Sequence, residues 1–115
     1  MIPALDAAVT AFQAFGKKVQ TTAHNIANLN TEGFKKSRVL LQEGHPGGVT
    51  ASIQRIDSPG APVAYPEHST ITESSNVDLG EEMILLMTAK HGLQANLKIL
   101  KAEAERIGFL LDIVE

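Results

Sequence analysis

Residues 76–115 read NVDLGEEMILLMTAKHGLQANLKILKAEAERIGFLLDIVE. From Leu79, alternating steps of four and three land on Leu79, Met83, Leu86, Lys90, Leu93, Leu97, Leu100, Ala104, Ile107, Leu111 and Val114. Nine of these eleven positions are large and apolar. A 4,3 repeat held over five heptads is the mark of a coiled-coil seam rather than of one face of a globular helix. A helix of this length spans about 54 Å at roughly 1.5 Å per residue and cannot bury such a seam alone. The stretch therefore predicts a partner.

A second seam stands at the other end of the chain. Leu5, Val9, Phe12, Gly16, Val19, Ala23 and Ile26 also fall at 4,3 spacing. The expectation is a mainly α chain whose long N- and C-terminal helices pair as an antiparallel coiled coil, with a small β-hairpin-like insert between them. Pairing Leu5 with Val114 sets Ile26 against Leu93. Phe12, Leu97, Leu100 and Ile107 then belong to the core, and Leu111 closes the seam. Residues 79–90 are left to pack on Phe34, Leu40 and the strands. Phe15 lies beside the seam and calls for a further covering surface. Lys90 interrupts the seam without an evident reason.

The two helices have clear ends. Pro3 suits a first helical turn, where its missing N–H has no intrahelical partner. Asp78 with Glu81 three residues on has capping-box spacing, and Glu81 and Glu82 sit favourably at the positive end of the helix dipole. Around residues 25–34, Asn, Thr and Gly break the first helix, with Gly33 the residue most suited to positive φ. Between the helices, residues 39–42 and 49–56 read as short strands. Gly44, Pro46, Gly47 and Gly48 turn the chain between them. Residues 62–66 read as an edge-like partner strand and 67–76 as loop. One domain of 115 residues is expected, divided as 1–30, 31–75 and 76–115.

Composition excludes several functions. There is no Cys, so no disulfide, thiolate metal site or Cys nucleophile is possible. The four His are scattered without metal-ligand spacing, and no carboxylate pair or phosphate loop stands out. No enzyme and no cofactor is expected. The longest large-apolar run, residues 83–87, is far below the roughly 18 needed for a membrane span. The N-terminus lacks the basic and apolar regions of a cleavable signal. Net charge is −3, uneven along the chain: residues 1–40 carry five basic and two acidic side chains, the rest five basic and eleven acidic. No dense basic face with stacking aromatics marks a nucleic-acid surface.

Two stretches carry a further signal. Ala23 to Arg38, AHNIANLNTEGFKKSR, resembles the N-terminal signature of bacterial flagellar rod and hook proteins, a helix ending in N-I-A-N-x-x-T-x-G-[FY]-[KR]-x-x-R. Asn76-Val77-Asp78-Leu79, Glu81-Glu82-Met83, Thr88-Ala89-Lys90 and Gln94-Ala95-Asn96-x-Lys98 resemble their C-terminal signature. The resemblance implies an axial structural subunit of the flagellar basal-body rod, most like the small proximal-rod members. The residues it marks for assembly are Asn25, Asn28, Thr31, Gly33, Phe34, Lys35, Arg38, Asn76, Asp78, Glu81, Glu82, Gln94 and Asn96. It further implies partners among copies of itself and other rod proteins, passage through the flagellar type III export apparatus without a cleaved signal, and a periplasmic place in the basal body. A competing expectation is a stand-alone helical adaptor or chaperone that binds a partner helix.

Overall fold

The computed structural model describes residues 2–45 and 47–114. The expected outer limits at residues 1 and 115, and Pro46 in the turn, lie outside the described residues. Helix α1 spans Ile2–Ala27 and helix α2 spans Leu79–Val114. Four strands lie between them: β1 Ser37–Glu43, β2 Val49–Arg55, β3 Pro62–Tyr65 and β4 Thr70–Glu73. The molecule is a rod, 77 × 24 × 17 Å along its principal axes. No described helix is long and apolar enough to cross a membrane.

The insert is two hairpins rather than one. β1 pairs antiparallel with β2, Ser37 opposite Arg55 and Glu43 opposite Val49. β3 pairs antiparallel with β4, Pro62 opposite Glu73 and Tyr65 opposite Thr70. Residues 70–73 thus form a strand where the sequence reading expected loop. Their polar composition misled because this ribbon covers no core: Ile71 is exposed, so the usual apolar face is not required. The first hairpin docks on α1. The Val49 N–H donates to Thr10 Oγ1 (3.1 Å), and Val49, Thr50 and Ala51 share a groove with Thr10, Gln13, Ala14 and Lys17.

The helices pack on each other, but not through the two apolar seams in the expected register. Asn25 faces Glu82. Ten residues back along α1, the Phe15 ring lies on Gly92, ten residues further along α2. Beyond that, Ala4, Ala8 and Ala11 share a groove with Asn96 and Ile99. Ile26 is therefore level with Glu81 rather than Leu93, a displacement of 93 − 81 = 12 residues. The part of α2 left without α1 beside it is its C-terminal end, not residues 79–90.

The cause lies in side-chain size. Ala8, Ala11, Thr22 and Asn25 on α1, and Ala89 and Gly92 on α2, are small or capable of hydrogen bonding and suit the line between the helices. Ala89 and Asn25 are fully enclosed. A Cβ on Gly92 would stand 2.6 Å from the Phe15 ring, so this position accepts glycine and Phe15 gains the cover that it lacked in the sequence reading. Several seam residues consequently face outward. Phe12, Val9, Leu79, Met83, Leu97 and Leu111 are exposed, and Phe12 and Leu97 are not core. Leu5, Val19, Ile26, Leu86, Leu93, Leu100 and Ile107 are half-buried. Lys90 is exposed, and its charge is no anomaly on a face turned away from α1.

Candidate assembly junction

The two signature stretches meet at one end of the helix pair. α1 stops at Ala27 because its last turn is closed locally. Asn28 Nδ2 donates to the His24 carbonyl (2.9 Å), and Thr31 Oγ1 donates to Asn28 Oδ1 (3.0 Å). Gly33 then takes φ +70°, a conformation glycine adopts without the penalty of a Cβ. Its N–H donates to the Glu73 carbonyl (2.8 Å), which ties the turn to β4. Phe34 folds back edge-on against the His24 ring, centroids 5.5 Å apart.

Two asparagines then hold the chain by its backbone. Asn25, fully buried, donates from Nδ2 to the Ser37 carbonyl (2.8 Å) and accepts at Oδ1 from the Ser37 N–H (3.1 Å). That pair of bonds copies a strand pairing and fixes the start of β1 against α1. Asn76 accepts from the Lys36 N–H (2.7 Å). Its amide donates to the Ile56 and Ser58 carbonyls, 2.9 Å each. Substitution of either asparagine by a side chain lacking one of the two functions leaves a polar backbone group without its partner.

Charge closes the junction. Glu82 is completely enclosed and accepts from Arg38 Nη1 (2.6 Å) and from the Asn25 amide (3.2 Å). Arg38 Nη2 reaches the half-exposed Glu81 at 2.5 Å, and Lys36 Nζ stands 3.7 Å from the same carboxylate. Burial alone pushes the Arg38 pKa down. Its hydrogen bonds and charge attraction to Glu81 and Glu82 outweigh that, and the guanidinium is held above its ordinary value. The hydrogen bond from Arg38 draws Glu81 below the ordinary carboxylate range. Lys35 does the same to Glu73 at 2.7 Å and also donates to the Ser58 carbonyl (3.1 Å). A planar donor fork shared between two adjacent carboxylates suits arginine and not lysine.

Glu81 and Glu82 also occupy the first turn of α2, where the Asp78 side chain accepts from the Glu81 N–H (3.3 Å). Half of the expected capping box is present. The returning half is not, because Glu81 is turned to Arg38.

Of the signature residues, Asn25, Lys35, Arg38, Asn76, Glu81 and Glu82 converge on this junction, and Asn28, Thr31, Gly33 and Phe34 shape its turn. Gln94 and Asn96 lie elsewhere. Gln94 is exposed, and the Asn96 amide donates only to the Gly92 carbonyl of its own helix (2.9 Å). Ser37, Ser58 and Glu73 take part through backbone or charge and carried no sequence signal of their own. Phe15 and Gly92, the close contact of the helix pair, could have been found by pairing the bulkiest off-seam residue of one helix with the smallest of the other. The arrangement binds polypeptide to polypeptide.

Comparison with known proteins agrees with this reading at both ends of the chain. Residues 5–35 match the family described as "Flagella basal body rod protein", and residues 68–113 match "Flagellar basal body rod FlgEFG protein C-terminal". A curated relative, the flagellar basal-body rod protein FlgC of Buchnera aphidicola subsp. Baizongia pistaciae, is 27% identical over 119 aligned positions. The alignment covers 85% of this chain and 86% of the relative. Both matched segments enter the junction just described, and this family is structural rather than enzymatic: the chain belongs to the flagellar basal-body rod proteins.

Proposed function

We propose that the chain is a structural subunit of the proximal part of the flagellar rod and joins its neighbours through one apolar side of its helix pair. The observation that carries this is the geometry of the two seams. Phe12, Val19 and Ile26 each follow by one residue a position on α1's contact line, namely Ala11, Lys18 and Asn25. Leu86, Leu93 and Leu100 likewise follow Leu85, Gly92 and Ile99 on α2. One residue turns about 100° around a helix, and in an antiparallel pair equal turns bring both lines to the same side of the ribbon. Thr10, Ala14, Thr21 and His24 each precede the contact line by one residue, and these lie beside the β1–β2 hairpin. The hairpin thus covers one side of the ribbon and the two apolar seams form the other.

On this reading the seams do run side by side in a heptad register, with a line of mostly small or polar residues joined by Phe15, Leu85 and Ile99 between the helices, and the remaining large apolar residues on the shared flank. Val9, Met83, Leu97 and Leu111 on that flank are exposed. An apolar surface of this length on an isolated chain is an interaction surface, and a shaft built from repeated subunits supplies its cover. Similarity to FlgC along most of both chains supports the proximal placement. Export by the flagellar type III apparatus and a periplasmic position follow from that placement. A stand-alone adaptor is not favoured, because the family at both ends of the chain is that of the rod.

The test is deletion of the gene followed by a swimming assay and electron microscopy of isolated basal bodies. Loss of motility with rods truncated near the inner membrane is expected, and restoration by the intact gene. Normal swimming with intact rods would overturn the assignment.

A further inference from the structure

The C-terminal end of α2 is the least covered part of the molecule. Phe109, Leu111, Ile113 and Val114 are each more than half exposed, and no described residue of α1 comes level with residues 106–114. The same segment carries exposed Glu105 and Asp112, neither in a described ion pair. The middle of α2 has the opposite character. Residues 83–102 contain no acidic side chain and three lysines, Lys90, Lys98 and Lys101, none of them in a described ion pair, alongside exposed Met83, Met87 and Leu97.

We infer, resting on the rod reading, that the acidic and apolar end of α2 in one copy docks on the basic and apolar middle of α2 in a second copy. Two features select a second copy as the occupant. The charges are complementary within one chain, and the spacing agrees: Leu111 followed by Asp112 stands two heptads beyond Leu97 followed by Lys98. A neighbour displaced by two heptads, about 21 Å along the helix, brings Asp112 level with Lys98 and Leu111 level with Leu97. Donor and acceptor are different surfaces, so the contact is heterologous and propagates into an open stack instead of closing as a dimer.

The absence of native cysteine makes the test unambiguous. Purified full-length Leu97→Cys and Leu111→Cys chains, mixed and oxidised, are expected to give mainly the mixed disulfide, well above either variant alone. Asp112→Lys should lower self-association by sedimentation velocity at low salt at least tenfold. Mixing Asp112→Lys with Lys98→Asp should restore association. Circular dichroism melts should leave both variants folded, since neither side chain has a described partner. Random disulfide yields, or charge reversal without rescue, would overturn the inference. In cells the two readings separate. If gene deletion abolishes swimming but an Asp112→Lys allele restores it fully, only the docking contact fails. If deletion itself is silent, the rod reading fails.

Discussion

Replacing Arg38 by Met keeps most of the side-chain stem and removes the guanidinium that faces Glu82. In the folded chain Glu82 is fully enclosed and would retain only the Asn25 amide, at 3.2 Å. Removing one partner of a buried ion pair costs about 3–5 kcal/mol, because the remaining charge is left in a poorly solvating site. The Arg38 side chain keeps 20% of its surface open to water, so some water can enter the gap, and a loss of about 2–4 kcal/mol is expected. The lost bond to half-exposed Glu81 adds less than about 1 kcal/mol. Urea unfolding followed by circular dichroism reads this directly. With a slope of about 1–2 kcal/mol per molar for a chain of this size, the midpoint should fall by roughly 1–4 M. Glu82→Gln, which keeps an oxygen for Asn25, should cost less. The double variant should cost clearly less than the two single losses added together. A change below about 0.5 kcal/mol for Arg38→Met, or strict additivity in the double variant, would refute the view that this pair closes the junction.

The close contact of the helices offers a second handle. Gly92→Val places a branched side chain against the Phe15 ring and should lower stability by about 1–3 kcal/mol through overpacking; a thermal melt unchanged from the parent would argue against the observed register. Asn25→Leu keeps volume but strips the Ser37 N–H and carbonyl of their partners. It should cost about 2–4 kcal/mol, with amide exchange at Ser37 becoming rapid. Acid should weaken the junction. The folded pKa of Glu81 is depressed, so its contribution is complete above the ordinary glutamate value of 4.5 and is lost as pH falls through the lower folded value. The same holds for Glu73. Stability measured from pH 7 downward should hold until about pH 5 and then decline, and a Glu81→Gln chain should show a shallower decline. A steeper decline would contradict that sign.

Much of the architecture was legible because it depends on patterns that local physics enforces. The two long helices follow from their periodicity, and the Asp78 cap and the positive φ of Gly33 from residue chemistry. The helix contact was not legible, for a physical reason. A 4,3 apolar repeat marks a face that needs cover but does not say which neighbour provides it. Here the line between α1 and α2 is built largely from Ala, Gly, Thr and Asn with the Phe15 ring set on Gly92, and seam residues such as Phe12, Met83, Leu97 and Leu111 are exposed. Seam logic works when the strongest apolar stripe is satisfied within the chain, and it misplaces the register when the stripe serves an assembly. The β4 strand was missed for a related reason: an exposed two-stranded ribbon imposes no alternation on Thr70-Ile71-Thr72-Glu73. In the junction, the signature residues were visible, but their grouping into one clasp depends on long-range contacts such as Arg38 with Glu82, which no local spacing records.

The most direct measurement of the central claim is the composition of purified basal bodies. Quantitative mass spectrometry of rods stripped of hook and filament should find this chain present in multiple copies per basal body, in fixed ratio to the other rod components. Finding it absent from rods, with the protein recovered only in the cytoplasmic fraction, would contradict the account.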